Sequence, residues 1–261
     1  HPLALPQIAP HLVTKIYLEE GGRQVRSTIE KSQQESIEAI LNRWNAEFAQ
    51  NGINNIAAIV FDVERNEVVS YCGNVHFSKN ISGNQVDIIQ APRSTGSILK
   101  PFLYQAMQQE GLLLPNQLLV DIPVNMSGFT PKNFSRKYDG AVVASEALAR
   151  SLNIPSVICL RDYGVPKFRN FLQDAGMTTL TRTNEDFGLA WVRGGAEGKL
   201  WDIGVMYLRM AQSLSDFNDS GMYYEQPLPK YLLGENRSDL EVTTKPHFTA
   251  GASWLTLNAL I

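Results

Sequence analysis

The chain has 261 residues, 44% of them hydrophobic, which is enough apolar material for a buried core in one large domain or two small ones. Its formal net charge of -3, with no Lys/Arg-rich run, excludes nucleic acid as the main partner. The longest apolar stretches, residues 56–61 and 111–120, fall far short of the roughly 20 residues that cross a bilayer.

His1 opens the chain without Met or a leader pattern, so a piece or mature form of a longer protein is expected. Residues 1–26 carry Pro2, Pro6 and Pro10, then a mixed charged segment with Gly21 and Gly22; they read as an extended linker into a domain over 27–261. Ser27 or Thr28 is placed to cap a helix running to about Phe48. Ile29, Ile37, Ile40, Leu41 and Trp44 fall largely on one of its faces, to pack on a sheet. Residues 56–62 and 68–71, around the polar turn Glu64-Arg65-Asn66-Glu67, predict a β-hairpin, and 74–90 a polar loop. A helix is predicted over 97–110, with Ile98, Phe102, Leu103 and Ala106 inward, Pro101 tolerable near its start and Gly111 as its stop. Residues 112–140 hold Pro115, Pro123, Gly128, Pro131 and Gly140 and read as a long irregular connection. A further helix runs from about Ala144 to Leu152 and stops before Pro155, and two amphipathic helices follow over 165–175 and 199–214, with Gly194 and Gly195 between them. This is the pattern of an α+β domain whose sheet is completed by strands beyond these residues.

Two cysteines, Cys72 on a predicted strand and Cys159 on a predicted helix, make neither a disulfide framework nor a metal motif and read as small buried hydrophobes. The four histidines, His1, His11, His76 and His247, lack metal-ligand spacing, so no metal is expected. Asn-x-Ser matches at Asn80, Asn125, Asn133, Asn218 and Asn236 arise freely in a chain rich in both residues, and the carboxylate pairs Asp62/Glu64 and Glu19/Glu20 read as solvated faces.

The chemistry concentrates on Ser97-Ile98-Leu99-Lys100, where a hydroxyl and an amine three positions apart at the start of a helix lie on one face. A serine needs a neighbouring base, and a lysine can serve when an apolar surround disfavours its charge. The helix N-terminus adds unpaired N–H groups for an oxyanion. Taken alone the motif also describes a capping Ser and a solvated Lys. Ser151-Leu152-Asn153 supplies the other groups such chemistry needs: a hydroxyl to pass a proton to the leaving amine and an amide to hold a peptide carbonyl. Asn153 could equally be a C-terminal helix cap. Two more Ser-x-Asn triplets, Ser78 to Asn80 and Ser82 to Asn84, read as turns.

Ser-x-x-Lys with Ser-Asp-Asn and Lys-Thr-Gly is the signature of class A β-lactamases and penicillin-binding proteins. The wider wording resembles the transpeptidase domain of bifunctional class A penicillin-binding proteins: Pro92-Arg93-Ser94-Thr95-Gly96-Ser97-Ile98-Leu99-Lys100-Pro101-Phe102, then Phe129-Thr130-Pro131-Lys132-Asn133-Phe134, then Ala147-Leu148-Ala149-Arg150-Ser151-Leu152-Asn153-Ile154-Pro155. The Pro-rich opening makes it most similar to the 1C type. The resemblance implies an antiparallel sheet flanked by helices, as in serine β-lactamases. It also implies Ser97 as nucleophile, Lys100 as base, Ser151 as proton relay and Asn153 as a substrate-binding residue, with no cofactor. The implied activity is D-Ala-D-Ala transpeptidation of peptidoglycan stem peptides, blocked by β-lactam antibiotics. The implied parent is anchored at the periplasmic face of the inner membrane, behind an upstream glycosyltransferase domain. No Lys-Thr-Gly occurs among the 261 residues, so the expectation is a domain cut before its third motif, with weak or no acylation of this piece. Two rival readings share these motifs: a D,D-carboxypeptidase or β-lactamase that hands the acyl group to water, and a module that binds peptidoglycan or β-lactam without turnover.

Overall fold

The computed structural model describes residues 8–75, 83, 85–126, 129–180, 195–234 and 240–261. The chain runs through α1 (Pro10–Glu20), α2 (Lys31–Phe48), β1 (Ala58–Asp62), β2 (Glu67–Cys72), β3 (Arg93–Ser94) and α3 (Lys100–Gln109). It continues through β4 (Leu118–Asp121), β5 (Gly140–Val143), α4 (Ala144–Ala149), α5 (Asn153–Tyr163) and α6 (Val165–Ala175), and then β6 (Glu197–Gly198), α7 (Leu200–Ser220), β7 (Tyr223–Tyr224), β8 (Val242–Thr243) and α8 (Ala250–Asn258). Among the described residues the strands pair two by two, β1 with β2, β3 with β6, β4 with β5 and β7 with β8, all antiparallel. No described helix is long and apolar enough to cross a membrane. The packing divides the chain into two units, one comprising His1–Pro92, Lys199–Leu208 and Gln226–Leu240, the other Arg93–Gly198, Arg209–Glu225 and Glu241–Ile261.

The first unit is built on the expected hairpin, registered from Ala58↔Cys72 to Asp62↔Glu67 with a bulge at Val60/Phe61. Its turn closes because the Asp62 carboxylate accepts from the Arg65 N–H at 2.8 Å, and that bond is the first cause holding the Asp62 carboxyl below its ordinary range. Gln34 of α2 is fully buried: its Oε1 accepts from Ser70 Oγ and Tyr71 N at 2.9 and 2.8 Å, and its Nε2 donates to Tyr71 O at 3.2 Å. An amide side chain thereby satisfies the edge of β2, which would otherwise offer unpaired backbone groups. The helix differs from expectation at its start, because Thr28 is buried and its hydroxyl donates to Val68 O at 2.6 Å instead of capping, so α2 begins only at Lys31. Of the apolar face expected, Ile29 packs on the core and Ile37 and Leu41 are half-buried, but Ile40 and Trp44 are exposed, and the buried residue of α2 is the polar Gln34.

The expected extended linker is also corrected. Residues 10–20 form α1, with Pro10 at the first turn, where a missing N–H costs nothing, and with Leu12 and Ile16, one turn apart, buried against Val68, Tyr71 and Ile89. Over the same hairpin passes the start of α7, and Gly204 permits it: a Cβ there would lie 2.7 Å from the Phe61 ring.

In the second unit, α3 begins at Lys100, preceded by a tight turn in which Lys100 N donates to Ser97 O at 3.0 Å. Pro101 is accommodated in the first helical turn, and Phe102, Leu103 and Ala106 are buried as expected, whereas Ile98, in the turn, is 39% exposed. The stretch read as irregular contains β4, which pairs with β5 from Leu118↔Val143 to Asp121↔Gly140. The helix expected to reach Leu152 ends at Ala149, and a second one, α5, starts at Asn153 with Pro155 inside its first turn. α8 lies on α3 through a polar seam: Gln105 Nε2 donates to Ser253 Oγ at 3.3 Å, while Gln109 donates to His247 O at 3.1 Å and accepts from Thr249 N at 2.9 Å.

Candidate active site

Lys100 stands at the head of α3 and is only 1% exposed. Its Nζ donates to Ser151 O at 2.6 Å, Asn153 Oδ1 at 2.8 Å and Ser151 Oγ at 3.1 Å. An ammonium carries three N–H donors, and a buried charge is tolerable only when it is hydrogen-bonded; these three oxygens meet that demand. Lys100, Ser151 and Asn153 are thus brought together across more than fifty residues of sequence. Ser97 is half-buried in the turn that enters α3, and this turn is fixed from behind by β3–β6 and by Thr95, whose N and Oγ1 both donate to Ala196 O at 3.1 Å.

Ser151 occupies a position that helices usually give to glycine. It follows α4 with φ +53°, its N donates to Leu148 O at 2.8 Å, and Leu152 N donates to Ala147 O at 2.9 Å. These two bonds form the Schellman end of a helix, whose left-handed residue is normally Gly. A β-carbon here is strained, and such strain gathers at functional sites. The turn aims both the carbonyl and the hydroxyl of Ser151 at Lys100.

Asn153 caps nothing at a helix C-terminus; it is the first residue of α5. Its Oδ1 accepts from Lys100, and its Nδ2 donates to Lys132 O at 2.8 Å, which fixes the amide's orientation. Sequence reasoning missed two groups behind it. Asn133 Oδ1 accepts from Asn153 N and Ile154 N at 2.9 and 3.2 Å, and Asn133 Nδ2 donates to Asp121 Oδ1 at 2.7 Å. Asn133 lay within a quoted motif, but a cap supplied from twenty residues upstream leaves no local signature. The two rival triplets at Ser78 and Ser82 lie outside the described residues, as do His1, His76 and Gly194.

Cysteine offers no competing nucleophile. Both thiols are free and buried, and burial pushes Cys159 up to about 12 and Cys72 up to about 11, far from the thiolate that attacks. Among the described residues no group of three His, Cys, Asp or Glu is placed to hold a metal ion.

Residues 56–261 match the penicillin binding protein transpeptidase domain. The chain belongs to this family. It is 28% identical over 254 residues to penicillin-binding protein 1C of Escherichia coli K12, covering 97% of this chain and 31% of that protein. It is 31% identical over 170 residues to penicillin-binding protein 1F of Bacillus subtilis 168, covering 64% of this chain and 22% of that one. The chain therefore spans a third or less of these relatives' length. Among solved structures, the PonA1 protein of Mycobacterium tuberculosis in complex with penicillin V superposes with a TM-score of 0.70 at 18% identity over 97% of this chain and 68% of that one. A peptidoglycan glycosyltransferase from Burkholderia ambifaria gives a TM-score of 0.70 at 16% identity, over 90% of this chain and 72% of its own. The α+β fold of penicillin-binding transpeptidases, expected from sequence, is the fold observed.

Proposed function

We propose that this domain is a serine-type D-Ala-D-Ala transpeptidase that cross-links peptidoglycan stem peptides and is acylated by β-lactams. One observation carries the reading: the buried Lys100 amine meets the Ser151 hydroxyl and two fixed acceptors, Ser151 O and Asn153 Oδ1. The carbonyl and the amide oxygen can only accept, whereas the hydroxyl can accept or donate. Lys100 can therefore be satisfied charged, donating to all three, or neutral, donating to two and accepting from Ser151 after its hydroxyl rotates.

In the proposed reaction the neutral amine takes the proton from Ser97 as Oγ attacks the D-Ala carbonyl. The bond to the leaving D-Ala nitrogen then breaks, with its proton delivered through Ser151 Oγ, and Asn153 steadies the substrate's peptide carbonyl. The acyl-serine is resolved by an amine of a neighbouring strand. A β-lactam carbonyl would enter by the same first step. The second oxyanion donor would come from a Lys-Thr-Gly strand, a motif that these 261 residues do not contain. By likeness to the longer class A relatives, we place the domain at the periplasmic face of the inner membrane, in a membrane-anchored parent that also carries a glycosyltransferase.

The test is mass spectrometry after exposure to a fluorescent penicillin. The adduct is expected on Ser97, absent in Ser97→Ala, and formed about 10²- to 10⁴-fold more slowly in Lys100→Ala. An adduct on another residue, or normal acylation of Lys100→Ala, would overturn the assignment.

A further inference from the structure

We infer that Asp121 and Asn133 are positioning residues for this site: a buried carboxylate and amide that set the start of α5 and, through it, the groups around the Lys100 amine. The inference rests on the reading of Lys100 and Ser151 given above. It begins from a deficiency in α5, whose N-cap is Leu152, a residue with no side-chain oxygen to receive the helix's first N–H groups. Asn133 supplies that oxygen from outside the helix, accepting from Asn153 N and Ile154 N at 2.9 and 3.2 Å.

Every polar atom of the Asn133 side chain is engaged. Its Nδ2 donates to Asp121 Oδ1 at 2.7 Å and to Lys137 O at 3.0 Å, and the residue is 2% exposed. Asp121, at the end of β4, is fully buried and accepts from Asp139 N through Oδ2 at 3.0 Å. The carboxylate fixes the amide's orientation, since only the Nδ2 side can face it, and so turns the amide oxygen onto α5. The residue before Asn133 is tied in as well, because Lys132 O receives Asn153 Nδ2 at 2.8 Å. Asn153 is therefore held at its backbone by Asn133 and at its amide nitrogen by Lys132, which leaves Oδ1 aimed at Lys100. In this network Asp121 and Asn133 act on Lys100 through Asn153. A displacement of about 1 Å in such a frame can cost about 10²-fold in rate.

The test compares Asn133→Ala, Asn133→Asp and the exchange Asp121→Asn/Asn133→Asp. Acylation by penicillin is resolved into the initial non-covalent affinity and the covalent rate constant, and amide hydrogen exchange is read at Asn153 and Ile154. Asn133→Ala is expected to lower the covalent rate constant about 10²-fold with initial affinity within about 3-fold, and to speed exchange at both amides about 10-fold or more. Asn133→Asp sets two buried carboxylates against each other and is expected to lose a similar factor. The exchanged pair restores a donor opposite an acceptor and is expected to return the rate to within about 10-fold of the parent. The inference falls if Asn133→Ala acylates at the parental rate, or if the exchange recovers nothing that Asn133→Asp lost. Should Asn133→Ala fail to fold, the last two variants decide. Should a full-length parent carrying the Lys-Thr-Gly strand not acylate, the proposed function fails, and exchange at Asn153 and Ile154 still decides whether Asn133 holds α5.

Discussion

Replacing Ser151 by glycine should leave the protein sturdier than replacing it by alanine, although both changes remove the same hydroxyl. Ser151 has φ +53° at the left-handed position of a Schellman turn. For a residue with a β-carbon that conformation costs roughly 1–2 kcal/mol, and glycine escapes it. Glycine also loosens the unfolded chain, which offsets about 0.4–1 kcal/mol of the gain. The net expectation is Ser151→Gly more stable than Ser151→Ala by about 0.5–1 kcal/mol, read as a shift in the urea midpoint at unchanged slope. Both variants lose the hydroxyl that accepts from Lys100 at 3.1 Å, so both should slow acyl transfer by about 10²- to 10⁴-fold. Alanine equal to or more stable than glycine would refute the account of strain, and undiminished transfer in either would refute the role of the hydroxyl.

A second expectation concerns acid. The His247 ring packs at 4.4 Å from Phe171 and 4.7 Å from Phe248, and burial lowers its pKa from the ordinary 6.5 to about 4, with Arg209 acting in the same direction and Asp174 opposing. The fold prefers the neutral ring, so the stability present above 6.5 should decline as pH falls toward 4. At 1.36 kcal/mol per pH unit that is at most about 3 kcal/mol, and nearer 2 because the ring is only half-buried. His247→Phe should remove this component, and a parent-minus-variant difference that stays flat between pH 7 and 4 would contradict it. A third concerns the thiols: with Cys159 near 12 and Cys72 near 11, iodoacetamide at pH 8 should spare both in the folded protein and modify both in denaturant, and modification of folded protein at the free-thiol rate would argue against their burial.

Elements with a clear period were legible in the sequence. The hairpin over 58–72, α3 and α6 lie within a few residues of their expected places. Two of the failures share one cause, proline read as punctuation. Three prolines made residues 1–26 look like a linker, and Pro155 looked like a helix stop, yet Pro10 and Pro155 each sit in a first helical turn, where no N–H is needed. β4 and β5, four residues each, were too short to show alternation within a Pro/Gly-rich stretch. At the site, residue types were legible but partners were not. Nothing local joins Lys100 to a serine 51 positions on, and only the resemblance to a family did so. The trans cap from Asn133 could not be read at all, because a cap is ordinarily sought beside the helix it serves.

The two units are interleaved along the chain, since the first takes residues from before Pro92, from Lys199–Leu208 and from Gln226–Leu240, and the single helix α7 contributes to both. Their order of synthesis follows from this. At about 5–20 residues per second, the hairpin and α1 emerge and wait for well over a hundred further residues before α7 can cover Phe61. The N-terminal unit therefore cannot close over its hairpin until the segment that carries α7 has also been made and delivered. No single cut in the chain separates one unit from the other, and a nick within α7 would injure both at once.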